Sequence, residues 1–179
     1  DRKKKITMEL TKVGFGGGCH WCTEAVFQSL IGAKKVEQGW VASTGKNKSF
    51  SEAVIVHFDV KKINLKTLIE IHLRTHKSTS NHSMRIKYRS AVYYFSQQQK
   101  EESIKIIEEL QSEFKDTIIT QLLEFKNFKP SSEEFKNYYQ SNPDKPFCKN
   151  YIHPKLQFLL QKFSNRINKS KVSHLISTI

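Results

Sequence analysis

The sequence predicts an α+β fold in a single domain, and three observations carry that prediction. The chain has 179 residues, enough to bury one core and too few for two ordinary domains. Segments with period-two alternation and segments with helical spacing both occur, in mixed order rather than as a strict strand–helix repeat. Hydrophobic residues make up 37% and charged residues 26%, the balance of a globular chain.

The elements follow in order. Residues 6–13 read as a strand that feeds a glycine cluster, Gly14, Gly16, Gly17 and Gly18. The period then changes: Ala25, Val26, Ser29 and Leu30 repeat at helical spacing, so Cys19 falls at a strand-to-helix transition. Residues 50–58 alternate, with Glu52, Val54, Val56 and Phe58 on one face and Ala53, Ile55 and His57 on the other. Asn64 is placed to cap a helix carrying Leu65, Leu68, Ile69 and His72. A polar loop, 77–87, leads to a strand over 88–95. The spacing then predicts a helix over 97–115 with Ile104, Ile107, Leu110 and Phe114 inward. Residues 118–125 read as a strand. Ser131 and Glu134 match a capping box for a helix running to Tyr139. Asn142, Pro143, Asp144 and Pro146 are turn residues, and Pro154 opens a last helix with Leu156, Leu159, Leu160 and Phe163 on one side. The count is about four strands and five helices. We therefore expect a mixed or antiparallel sheet with helices packed on it, in a ferredoxin-like two-layer core. The domain is expected over 1–163, and the polar, basic composition of 164–179 predicts a tail without packed structure.

The formal net charge of +13 favours anionic partners in general. The basic residues are dispersed, however, with no dense run beyond Arg2–Lys5 and no nucleic-acid-binding motif, so specific nucleic-acid binding is not expected. No apolar run is long enough to span a membrane. Such a chain reads as cytoplasmic and monomeric, although it begins at Asp1, which leaves a removed leader open.

Three cysteines cannot all pair within one chain. Cys19 and Cys22 form a Cys-x-x-Cys, and Cys148 lies far downstream, so redox chemistry or metal binding is favoured over stapling. A cysteine at a helix start meets free N–H groups and the positive end of the macrodipole. Both favour the thiolate, which is the nucleophile. Gly-x-Gly-x-x-Cys over 14–19 lacks the last small residue and the βαβ context of a dinucleotide site. One Cys-x-x-Cys is half a zinc site, and no second half is evident, so no metal is expected. Cys22 is as readily packing filler as a redox partner. Cys148, after a run of turn residues, reads as a thiol on a flexible late loop, able to swing toward an oxidised partner.

The stretch GFGGGCHWCTEAVFQSLIGAKKVEQGW resembles the signature of the A-type peptide methionine sulfoxide reductases, which usually carry Gly-Cys-Phe-Trp followed by Glu-Ala and Phe. The likeness continues through FSEAVIVHFD, KYRSAVYYF, EEFKNYYQSNPDKPFC and HPKL, from Thr11 to Phe163. The resemblance implies an enzyme that reduces S-configured methionine sulfoxide, peptide-bound or free, with no bound cofactor. Cys19 would be the nucleophile and Trp21 part of the pocket for the substrate methyl group. Glu52 would donate a proton to the sulfoxide oxygen from an apolar pocket, and Tyr88 would help to hold that oxygen. Cys19 would become a sulfenic acid, Cys148 would resolve it, with Cys22 as the alternative, and thioredoxin would reduce the disulfide.

The chain also departs from the family pattern. His20 stands where Phe is usual, Trp40 where a Tyr is usual, and Ser83 where an Asp is usual. His20 or His82 is expected to replace part of the lost polar contacts. Three rival readings remain: a thioredoxin-like thiol-disulfide oxidoreductase using Cys19 and Cys22, a zinc or nucleic-acid-binding module, and a family member that has lost its activity through the altered loop.

Overall fold

The computed structural model describes residues 10–176. The first six elements run β1 (Thr11–Gly16), α1 (His20–Gln28), β2 (Ala33–Ala42), β3 (Ser51–Phe58), α2 (Leu65–Thr75) and β4 (Ala91–Tyr94). They pair in the order β4-β1-β3-β2, all antiparallel. That is the ferredoxin-like βαββαβ arrangement, with both crossover helices on one face of the sheet. Next come α3 (Gln97–Leu110), β5 (Gln121–Glu124) and β6 (Asn127–Pro130). The two strands extend the sheet at either edge, β5 parallel to β4 and β6 antiparallel to β2. Three short helices close the chain: α4 (Tyr138–Ser141), α5 (His153–Lys162) and α6 (Ser173–Ile176).

Period-two alternation places Val13, Phe15, Val54, Val56, Phe58 and Val92 on the helix-covered face, against Ala25, Val26 and Phe27 of α1 and Leu68, Ile69 and Ile71 of α2. Phe15 stacks on Phe27 with ring centroids 4.6 Å apart. The opposite face buries a smaller cluster, Val41, Ala53, Ile55, Ala91 and Tyr93, with Phe95, Leu123, Phe125 and Phe128 packed against it. Asn64 caps α2 as expected, its side chain accepting from the Thr67 N–H at 2.8 Å.

Several expectations are corrected. The first strand begins at Thr11 and includes Gly14 and Gly16; residues 6–9 lie outside the described residues. The strand β2 went unread because Lys34, Lys35, Glu37 and Gln38 dilute its apolar pattern and a register shift falls between Ala33 and Lys35. Gly39 in its middle reads as a breaker. It is there because β6 approaches so closely that a Cβ would sit 2.1 Å from the Lys129 carbonyl oxygen. The short edge strand β6 was also missed. The helix α3 stops at Leu110, where Gln111 turns its side chain to the Ile118 N–H and the Asp116 carbonyl. Its buried face is Gln99, Ser103 and Leu110, and Ile104 is exposed.

No capping box forms at Ser131, whose hydroxyl bonds the Gln38 side chain at 2.7 Å. A single turn, Glu133–Phe135, takes the place of the expected helix, and Asn137 in the left-handed region (φ 54°) separates it from α4. Residues 164–176 pack onto the domain rather than trailing from it. Ile167 bridges Leu30, Arg166 accepts from the Ile31 N–H at 2.7 Å, and Val172 and Leu175 are buried.

Candidate active site

The strand β1 delivers the chain through Gly17 and Gly18 to Cys19, the N-cap residue of α1 (φ −57°, ψ 128°). Gly17 is required by close approach: a Cβ there would lie 2.4 Å from the His76 ring. Cys19 is partly exposed. No side chain on the helix itself caps α1. Instead the Glu52 carboxylate, from β3, accepts from the His20 N–H at 3.2 Å. Cys19 and the Glu52 carboxylate therefore meet at one helix start.

The Cys19 thiol is held below its usual range. The largest cause is the Cys22 S–H directed at it, followed by the Trp21 and Cys22 backbone N–H groups, against the opposing effects of burial and of Glu52. Cys22 is pushed far upward by the same contact and by burial. Cys148 is not on a flexible loop. It is fully buried in the core that also holds Cys22, at the start of a π-helical turn, Cys148–Ile152, that runs directly into α5. Burial raises its thiol, and its Sγ faces the Asn142 carbonyl at 3.6 Å.

Glu52 is 7% exposed, yet its surroundings are not apolar. The Lys87 ammonium lies 3.8 Å from Oε2 and His20 Nε2 lies 3.5 Å from Oε1. Lys87 also sits over the Tyr88 ring, 5.0 Å from its centroid, so the cation links the carboxylate and the phenol. His20 Nδ1 is 2.7 Å from the Gly39 carbonyl and must carry hydrogen there. In the neutral ring Nε2 is then a bare acceptor facing Glu52. Burial keeps the ring neutral by lowering its pKa. Trp40 pairs with Glu52 across the β2–β3 ladder and packs edge-on to His20 at 5.0 Å. His82 does not reach this group: its ring accepts from the Met84 N–H and caps a turn over Ser83–Ile86, while Ser83 itself is exposed.

Trp21 stacks on Tyr138 at 4.1 Å and 5°, with Phe147 edge-on at 5.4 Å. Sequence reasoning missed what arranges this wall. Glu24, 1% exposed, accepts from the N–H groups of Asn137 and Tyr138 at 3.0 and 3.1 Å, fixing the turn that lays Tyr138 on Trp21. Arg85 was missed as well. It donates to the carbonyls of Gly17, Lys77, Ser80 and Tyr88, tying the 77–88 loop to the glycine turn. The only signal for either was its position inside a stretch already singled out.

Comparison with known proteins gives a consistent result. Residues 11–167 match the family model described as peptide methionine sulfoxide reductase. A curated relative from Trichodesmium erythraeum, "Peptide methionine sulfoxide reductase MsrA", is 34% identical, covering 89% of this chain and 99% of that one. In fold, the chain is similar to Mxr1 from Saccharomyces cerevisiae in reduced form, with TM-score 0.67, 23% identity and coverage of 78% of this chain and 90% of that one. Mxr1 in complex with Trx2 aligns with TM-score 0.56 and 24% identity over 73% of this chain and 85% of that one.

Proposed function

This chain belongs to the peptide methionine sulfoxide reductase family, and from that premise we propose that it reduces methionine-S-sulfoxide through Cys19, with Glu52 as proton donor and Cys22 as first resolving thiol. The observation that carries this reading is the helix start. There Cys19 sits at the N-cap with its thiol pKa lowered, chiefly by Cys22, while a buried carboxylate binds the adjoining N–H.

The Cys19 thiolate attacks the sulfoxide sulfur. The oxygen cannot leave as bare oxide, so the developing charge is met by a proton from Glu52, with Lys87 beside the carboxylate and over the Tyr88 ring. Methionine departs and Cys19 is left as the sulfenic acid. The substrate methyl group packs on Trp21 and His20. Trp40 offers an indole edge where the family usually has a phenol.

Proximity favours Cys22 over Cys148 for resolution, because Cys22 lines the same cavity as Cys19 and Cys148 does not. Cys19 also has non-helical ψ, which relaxes the usual i,i+3 separation toward disulfide geometry. Cys148 is buried in the same core cluster as Cys22, and exchange with it is the proposed onward step. Thioredoxin is the proposed reductant, in keeping with the Mxr1–Trx2 complex. The test is turnover of a dabsyl-methionine S-sulfoxide and of its R isomer with dithiothreitol, wild type against Cys19→Ser. Activity confined to the S isomer and lost with Cys19 is expected; inactivity of the wild type on both isomers removes the assignment.

A further inference from the structure

A second side of Cys19 opens on a cavity of about 50 Å³ whose walls include neither Glu52, His20 nor Trp40. Cys19 and Cys22 of α1, Thr75 at the end of α2, and Lys155 of α5 meet there, with His72 and His76 beside them. No carboxylate lines it. The Lys155 Nζ crosses the cavity to donate to the Thr75 carbonyl, at the carbonyl end of α2. That bond fixes the head group beside the two thiols. His72 donates Nε2–H to Gly16 at 2.8 Å, so its Nδ1 is a bare acceptor, buried and without a hydrogen-bond partner. A thiol pair thus faces one amine and an acceptor-bearing wall.

We propose that Lys155 carries the proton of the resolving step: as the free amine it takes the Cys22 thiol proton and returns it to the oxygen leaving Cys19. The step balances. The Cys22 S–H bond breaks, Cys22 sulfur bonds Cys19 sulfur, and the Cys19 S–O bond breaks. Hydroxide gains the proton from Lys155 and leaves as water, for which the cavity has room. The sulfenic sulfur is reduced and the thiol sulfur oxidised, with no external reagent.

The chemistry calls for such a group, because Cys22 is the thiol that holds its proton most firmly and yet must attack as a thiolate. The groups facing the amine are Cys19 and Cys22, His72 and His76, and Lys77 from the loop after α2. Burial and Lys77 lower its pKa, whereas the two thiols raise it. This assignment rests on the reading of Cys19 as nucleophile and Cys22 as resolver.

The experiment is a rapid quench of reduced enzyme with one equivalent of methionine-S-sulfoxide, following methionine release, dimedone-trappable sulfenic acid and disulfide by peptide mapping. In Lys155→Met, methionine still reaches one per chain, the sulfenic acid accumulates, and Cys19–Cys22 disulfide forms at least tenfold more slowly. Its rate rises toward higher pH than in the wild type. Lys155→Gln, which keeps a polar head group, repeats the delay, and the methionine burst itself reports a folded site in both. Disulfide formation at the wild-type rate in both variants, or a first disulfide in the wild type that joins Cys19 to Cys148, overturns the proposal. Absence of methionine release in the wild type instead overturns the functional reading.

Discussion

Acid should destabilise this protein through His76, and the size of the effect follows from its contacts. His76 Nδ1 is bonded to the His72 carbonyl, so it must carry hydrogen and Nε2 must accept. The Ser90 hydroxyl therefore donates to Nε2 at 2.7 Å, and Thr120 in turn donates to Ser90 at 2.8 Å. A second proton on the ring reverses that chain and places a charge beside His72 and below Arg85 and Lys155. Burial is the main reason that the His76 pKa falls from 6.5 to about 4. The unfolded chain binds the proton near 6.5 and the folded one near 4, so stability is complete above 6.5 and is lost as pH falls toward 4. The full gap is worth at most about 3 kcal/mol, and about 2 kcal/mol of it is gone by pH 5. Urea denaturation at pH 7.5 and pH 5 measures this directly. His76→Asn keeps an N–H donor and no titrating ring; it starts less stable but should lose about 2 kcal/mol less than the wild type between the two conditions. Equal losses in both proteins would refute the assignment. Because His76 is the ring that Gly17 packs under, turnover should fall over the same range.

Three further outcomes follow from single contacts. Cys22→Ala removes the largest stabiliser of the Cys19 thiolate, so the pH profile of Cys19 alkylation by iodoacetamide should move upward; an unmoved profile would deny the S–H contact its role. Glu24→Gln turns a double acceptor into a group with one donor end. The expected cost is about 1–3 kcal/mol in urea denaturation, together with weaker peptide binding as Tyr138 leaves Trp21 and a visible change in Trp fluorescence. Gly17→Ala drives a methyl group into His76 and should cost about 1–3 kcal/mol of stability and lower kcat by displacing Cys19, both read on the purified variant.

Three strands of the four-strand core and its two crossover helices were legible because their signals are local. Period two over β3, a 3.6 period over α1 and α2, and Asn64 as a cap each state their own geometry. The strand β2 was not, because its burial is supplied by partners on both sides: Gly39 is buried by β6, and Gln38 is held by Ser131, 93 positions away. The site divides the same way. Cys19 announced itself through its glycines and its helix start, whereas Glu24, Lys155 and, at Gly17, Arg85 act on backbone groups distant in sequence, and no periodicity records that. Cys148 misled for a related reason. The turn residues before it are real, but they deliver the chain into a helix whose inward side takes the thiol, and a turn signature says nothing about where the following residue is buried.

Sulfoxide reduction poses two opposite proton problems. An oxygen must gain a proton as methionine leaves, and a firmly protonated thiol must then lose one. The two steps can be served by separate environments. The fold supplies them on two sides of one sulfur: Glu52, His20 and Lys87 on one, Lys155 and His72 on the other. Replacing the unusual His20 by Phe should therefore alter the first half alone. It strips the bare Nε2 from Glu52 and leaves the Gly39 carbonyl without its ring partner, at about 1–3 kcal/mol in stability. His20 has its pKa lowered by burial, so its protonation falls on the acid side of neutrality. The acid limb of methionine release should change in His20→Phe while the rate of disulfide formation does not. In the double variant with Lys155→Met, each step should show only its own defect. A slowed disulfide step in His20→Phe alone would mean that the two sides share a proton and that the separation is wrong.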